Sequence, residues 1–213
     1  MTQRDILIKV IEKIDKLGIS YMLTGAIATI FYGRPRTTHD IDIVIEASRR
    51  YINPLVHSFR DKFYISPEGI EDAIAHKTMF NVIHEDSGIK IDFWMLQEDN
   101  YDRERFGRRQ KHTIFGKDFF LSSPEDVIIK KLLWFKDTDL DKHFDDALGV
   151  LQIQGSTLDF NYIGLWAKKL SILNLWKKLK NMQDTSEPFR VRGCVIPITY
   201  QLLRKMLDYI LRY

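Results

Sequence analysis

The chain of 213 residues has a single cysteine, Cys194, so no internal disulfide can form. That usage fits a reducing compartment, and the cytoplasm is the expected location. Long apolar runs are missing too. No stretch approaches the roughly 18 residues that a membrane-spanning helix needs. Charges interrupt every apolar run of the opening "MTQRDILIKVIEKIDKLG", which does not read as a signal peptide, and no membrane partner is expected. An excess of one charge is likewise absent. The 32 Lys+Arg and 29 Asp+Glu leave a net +3, so bulk charge selects no partner and any basic surface must be local. None of the six histidines has zinc spacing to the cysteine, which argues against a zinc site. There is no Walker loop and no Gly-x-Ser-x-Gly elbow, and Cys194 has no nearby histidine, which removes P-loop chemistry and the usual Ser and Cys nucleophiles. Internal repeats and low-complexity tracts are also lacking.

What is present is a 45% hydrophobic chain, enough for a substantial core. Thr2 with Asp5 reads as a capping box, and Leu7, Val10, Ile11, Ile14 and Leu17 recur at helical spacing until Gly18. "ISYML" reads as a buried strand, "TGAIATIFYG" as a short helix, "RPRTTH" as a loop and "DIDIVIE" as a second strand. "SRRYINPLVHSFRDKF" and "PEGIEDAIAH" read as helices. "MFNVIHE" and "IKIDFWML" form strands around the turn "DSG", and "KHTIFGKDFFL" reads as another hairpin. At Ser123 the character changes. "SSPEDVIIKKLLWFK" has a serine cap, proline in the first turn and acids beside it, and helical patterns follow to about residue 181. The tail "TSEPFRVRGCVIP" reads as a loop and "ITYQLLRKMLDYILRY" as an amphipathic helix. The expected fold class is α+β: a mixed β-sheet flanked by helices over residues 1–122, then a C-terminal helical bundle over 123–213, with a tail from about 184 of unassigned role.

Three features fall in an informative order. Gly25, preceded by Thr24, marks a strand-to-helix junction, where unpaired N–H groups and partial positive charge suit a phosphate and glycine lets it approach the backbone. About 15 residues on, Asp40 and Asp42 share one face at the start of a strand, and their mutual repulsion is relieved by a cation between them. Asp92, in "IKIDFWML", adds a third carboxylate. Hard divalent ions take oxygen ligands, and two of them can stabilise the attacking and leaving oxygens of an in-line displacement. Asp40, Asp42 and Asp92 are therefore the expected metal ligands for two Mg²⁺ ions, with Mn²⁺ an alternative. Asp92 is also the expected acceptor of the attacking hydroxyl's proton. The reaction this set would support is transfer of a nucleotidyl group from an NTP.

The stretch "LTGAIATIFYGRPRTTHDIDIVIE" resembles the signature of the DNA polymerase β-like nucleotidyltransferase superfamily. Its Arg36-x-Thr38-x-Asp40-x-Asp42 form resembles the abortive-infection, AbiEii-type toxin branch. That resemblance implies a nucleotidyltransferase fold, a possible toxin–antitoxin context, and roles for Arg36, Lys131 and Asp146 in nucleotide binding beside Thr24, Gly25 and Ala26. It covers about residues 20 to 180. Ala26 departs from the pattern, since many members carry Ser or Gly there; the backbone N–H survives and a hydroxyl contact is lost. The acceptor implied is a tRNA end, a protein hydroxyl or a small molecule, and a homodimer or a toxin–antitoxin partner is compatible with the sequence. Two other readings stay open: a non-catalytic nucleotide- or partner-binding protein, which Ala26 favours, and a carboxylate-metal nuclease. The basic run "YDRERFGRRQKH" is a candidate phosphate contact, against a plain solvated helix as the expected reading.

Overall fold

The computed structural model describes residues 1–185, 190–191, 194–195 and 207–211. The chain divides into two compact units: Met1–Ala28 with Thr37–Ser122 and Asp208–Tyr213, and Thr29–Arg36 with Ser123–Leu207. The expected division into 1–122 and 123–213 does not contain the transfer of 29–36 to the second unit or of 208–213 to the first. Sequence proximity cannot show where a short linker segment packs.

The first unit is built on a seven-stranded mixed sheet in the order β3-β4-β5-β2-β1-β7-β6. Its strands are β1 (Ser20–Leu23), β2 (Ile41–Glu46), β3 (Phe63–Ile65), β4 (Met79–His84), β5 (Lys90–Met95), β6 (Gln110–Ile114) and β7 (Lys117–Leu121). β2 runs parallel to β5 and β1 parallel to β7, while the other pairs are antiparallel. Alternation sets the faces. In β5, Ile91, Phe93 and Met95 are buried, while Lys90, Asp92 and Trp94 are not. The buried face carries Phe63, Phe80 and Phe93. Phe59 of α3 (Ile52–Phe59) meets Phe63 and Phe93 edge-on at 5.3 and 6.0 Å, and Phe80 stacks on Phe93 at 5.1 Å. Each such pair adds about 0.5–1.5 kcal/mol beyond its burial. α4 (Pro67–His76) packs against β4 through Ile70 and Ala73. α1 (Gln3–Lys16) has the expected capping box, with Asp5 N donating to Thr2 Oγ1 and Thr2 N to Asp5 Oδ2. Its buried stripe includes Ile6, Leu7, Val10, Ile11 and Ile14.

Two local expectations change. The single helix expected over "SRRYINPLVHSFRDKF" is a 3₁₀ turn at Arg49–Tyr51, then α3, then the edge strand β3. Pro54 is tolerated only in a first turn, so a helix cannot run through it from Ser48. β3 exists because Phe63 and Ile65 pair with β4, a non-local contact. β2 begins at Ile41, which places Asp40 just before the strand.

The second unit contains α6 (Pro124–Thr138), α7 (Asp141–Gln154), α8 (Phe160–Lys169) and α9 (Leu173–Thr185). Ser123 caps α6, accepting from Asp126 N at 3.2 Å with Pro124 in the first turn. α6 packs on α7 and α8, and α7 on α9, around Ile128, Leu132, Leu151, Ile163 and Leu179. Gly33 lets the 29–36 segment lie against α7, since a Cβ there would stand 2.9 Å from Val150 Cγ2. Most of the expected tail loop and tail helix lies outside the described residues. Within them, β8 (Arg190–Val191) pairs with β9 (Cys194–Val195), and 207–210 are helical. Among the described residues no helix is long and apolar enough to cross a membrane.

Candidate active site

β1 leads into Thr24, and the first residue of α2 (Gly25–Tyr32) is Gly25. Thr24 N donates to Asp42 O at 3.0 Å, which fixes this turn beside β2. Gly25 has φ +58°, a left-handed conformation that other residues avoid. A Cβ on Gly25 would overlap Asp42 Oδ2 and stand 2.7 Å from Asp42 Cγ. Glycine is therefore required twice over, for its backbone angle and for the close approach of Asp42. The Asp42 carboxylate lies against the start of α2, where helix N–H groups favour an anion. Ala26 follows in the helix and is buried.

Asp42 and Asp92 are register partners on the parallel strands β2 and β5. Strand spacing of about 4.8 Å puts the two residues side by side on one face. Asp40 is exposed, its N–H bonded to Thr38 Oγ1 at 3.1 Å, two residues before Asp42. Asp42 Oδ1 accepts from Trp94 Nε1 at 3.2 Å. Asp92 accepts from Asn81 Nδ2 and pairs with Lys90 Nζ at 3.1 Å. Asn81 sits directly across from Asp92 on β4.

Arg36, Lys131 and Asp146 form a second group, inside the other unit. Arg36 holds Asp146 through two bonds, Nε to Oδ1 at 2.9 Å and Nη2 to Oδ2 at 3.1 Å. Lys131 Nζ reaches Asp146 Oδ2 at 2.7 Å and lies 5.1 Å from the centre of the Trp134 ring. Burial alone would raise the Asp146 carboxyl, but the Arg36 hydrogen bonds and the Lys131 charge outweigh it and hold it below the usual carboxylate range. Two cations on one carboxylate leave the cluster a net positive charge. Burial first, and the Lys131 and Lys142 charges next, hold the His143 pKa below the ordinary histidine value.

The structure thus brings Thr24, Gly25, Asp42 and Asp92 together, sets Asp40 at their edge, and gathers Arg36, Lys131 and Asp146 separately. Sequence reasoning missed Asn81 and the Trp94 bond. Both residues lie on the outer face of alternating strands, but the strand order that puts them beside the aspartates has no local signature. In the run "YDRERFGRRQKH", which holds most of α5 (Asn100–Gly107) and the start of β6, Arg105 is buried with Asp102, Arg109 lies over the Phe106 and Phe120 rings at 4.4 and 5.3 Å, and Lys111 pairs with Asp118. Arg105 and Arg109 serve the unit's own packing, and Lys111 pairs at the surface.

The donor set is suited to a hard divalent cation, since it offers carboxylate oxygens on neighbouring backbone positions. Among the described residues, however, no three acidic, histidine or cysteine side chains are gathered on one point. In the structure Asp42 turns to Trp94, and Asp92 turns to Asn81 and Lys90. The backbone placement of Asp42 and Asp92 fits such an ion; the side-chain partners would have to yield to it.

A mixed sheet with a glycine turn, an Asp-x-Asp strand start and an aspartate on the neighbouring parallel strand defines a nucleotidyltransferase. The chain belongs to the aminoglycoside-2''-adenylyltransferase family, whose model matches residues 6–130, more than half of its length. Solved structures share the fold. An antigenic nucleotidyltransferase-like protein from Paracoccidioides brasiliensis is 18% identical, with 82% of this chain and 91% of that chain covered and a TM-score of 0.51. The antibiotic-resistance factor ANT(2'')-Ia in solution is 12% identical, with 85% and 97% covered and a TM-score of 0.53. ANT(2'')-Ia in complex with adenylyl-2''-tobramycin is 13% identical, with 84% and 97% covered and a TM-score of 0.51. No curated protein matches the sequence.

Proposed function

We propose that the protein transfers AMP from ATP to a hydroxyl group of a small molecule, using divalent cations held by Asp40, Asp42 and Asp92. The observation that carries this reading is the register pairing of Asp42 with Asp92 next to the Gly25 turn. Adenylyl transfer and a small-molecule acceptor are the reading that the family and the ligand of the ANT(2'')-Ia complex support. The bound Mg²⁺ would neutralise the triphosphate and the oxygens that gain charge as the α-phosphorus is attacked. The chain's own residues do the rest. The Gly25 turn and the N–H groups at the start of α2 receive phosphate oxygens. Asp92 takes the proton of the acceptor hydroxyl. The acceptor's hydroxyl oxygen then bonds to the α-phosphorus, and pyrophosphate leaves with the electron pair of the broken P–O bond. Within the second unit, the Arg36–Lys131 pair around Asp146 is by itself a charge set suited to an anion. Ala26 contributes through its backbone N–H, and Thr24, whose N–H is bonded to Asp42 O, through its hydroxyl.

The test is pyrophosphate release with ATP, Mg²⁺ and an acceptor panel. Asp42→Ala should lower turnover by roughly 10³-fold while far-ultraviolet circular dichroism stays unchanged. Full activity in that variant would sink the assignment. A second reading rests on Ala26: a non-catalytic nucleotide- or partner-binding member of a toxin–antitoxin pair, as the resemblance to the abortive-infection branch implies. It predicts metal-dependent ATP binding without pyrophosphate release.

A further inference from the structure

The sheet face that carries Asp42 and Asp92 changes character across the sheet. On β1 and β2 it is closed: Met22 and Val44 are buried with Leu96 and Phe106. On β3, β4 and β5 it stays open. Register aligns Tyr64 with Ile83 and Ile83 with Lys90, and places Asn81 beside Asp92. Asn81 and Ile83 are half-buried and Lys90 is exposed. Two large aromatic side chains stand out of this surface, Trp94 at 38% exposure and Tyr64 at 61%. The indole Nε1 of Trp94 donates to Asp42 Oδ1 at 3.2 Å, which places the ring beside the candidate site.

We propose that this open face receives the acceptor. The acceptor is assigned as a hydroxyl-bearing ring compound with an apolar or flat face and at most one positive charge. The inference rests on the nucleotidyl-transfer reading and deepens it. Sheet order supplies the first argument. Gly25 and the start of α2 follow β1, on one side of Asp42, while Asp92 and Trp94 are on β5, on the other side. Donor phosphates belong with the glycine turn. The attacking hydroxyl must lie beside its proton acceptor Asp92, and hence over β5 and β4. Chemistry supplies the second. Exposed indole and phenol rings bind flat or aliphatic faces of rings and carry a polar edge for hydroxyls. Asn81 adds an amide. A compound with several ammonium groups needs carboxylates to meet it. On the described positions of this face in β3, β4 and β5, Asp92 is the one carboxylate, and Lys90 Nζ already pairs with it at 3.1 Å. The Lys90 ammonium repels a polycation.

The test uses the full chain with ATP and Mg²⁺, and two acceptors: 4-nitrophenyl β-glucoside as a neutral hydroxylated ring with a flat aglycone, and tobramycin as a polycation. Calorimetric titration of ATP with Mg²⁺ comes first, because its failure would count against the nucleotidyl-transfer reading. With ATP bound, the neutral probe should be turned over at least about tenfold more efficiently than tobramycin. Trp94→Ala should raise KM for the neutral probe by about tenfold and leave KM for ATP within about threefold. Trp94→Phe, which keeps a ring but loses the bond to Asp42, should recover most of the acceptor KM. A preference for tobramycin, turnover of neither probe despite ATP binding, or a Trp94→Ala effect confined to the ATP KM would each overturn the assignment. So would a concentration-dependent dimer in sedimentation that Tyr64→Ser dissolves, since a second copy would then cover the face.

Discussion

Gly25→Ala is the substitution that most directly tests how the candidate site is built. Its Cβ would overlap Asp42 Oδ2 and stand 2.7 and 2.9 Å from Asp42 Cγ and Cβ. An alanine at φ +58° carries about 1–2 kcal/mol of left-handed strain. Pushing the carboxylate off its rotamer costs about 1 kcal/mol more, and the displaced Asp42 loses its Trp94 bond, about 1–2 kcal/mol. The lower entropy of the unfolded alanine chain returns about 0.7 kcal/mol. The net expectation is a destabilisation of about 3 kcal/mol. In an Asp42→Ala background only the strain and the residual contact to Cβ remain, so the same change should cost about 1 kcal/mol, giving a coupling near 2 kcal/mol. Urea unfolding of the four proteins, followed by circular dichroism, measures both. If the two substitutions add within about 0.5 kcal/mol, the claim that Gly25 exists to admit Asp42 is wrong.

Two further expectations concern the second unit. Asp146→Asn removes the charge that holds Arg36 and the 4%-exposed Lys131 together, and should destabilise by about 3 kcal/mol. Adding Lys131→Met should recover much of the loss, and a double variant no more stable than the single one would refute the cause given. Because the folded Asp146 pKa is depressed, its contribution is fully present above the unfolded value of about 3.9 and fades as pH falls through the folded value; Asp146→Asn should flatten that acid limb. His143 is also depressed, so its contribution is present above the ordinary value of about 6.5 and declines as pH falls below it. His143→Gln should flatten the urea midpoint as pH falls below about 6.5, and an unchanged slope would assign that limb to another group.

Much of the architecture was legible because it is encoded locally. The capping box of α1, the Ser123-Pro124 start of α6 and the alternation of "IKIDFWML" each act within a few residues, and each is found in the structure. β3 was not legible, because Phe63 and Ile65 become a strand only by pairing with β4. The aspartates of β2 and β5 were legible as residue types with a spacing, and their shared face follows from the two-residue period of a strand. Asn81 and Trp94 were not, for they enter only through strand order.

By itself the sequence determined that this chain makes an α+β fold with a glycine turn, an Asp-x-Asp strand start and a later strand aspartate, because capping, periodicity and backbone freedom are properties of neighbouring residues. Only the tertiary structure decided that Asp92 stands beside Asp42, that Gly25 gives way to that carboxylate, and that Asp146 is held by Arg36 and Lys131 rather than by its own helix neighbours. Those are contacts across 15 to 110 residues of chain. They are selected by burial, by strand pairing and by the cost of leaving a buried charge alone, and none of these acts before the chain has closed on itself.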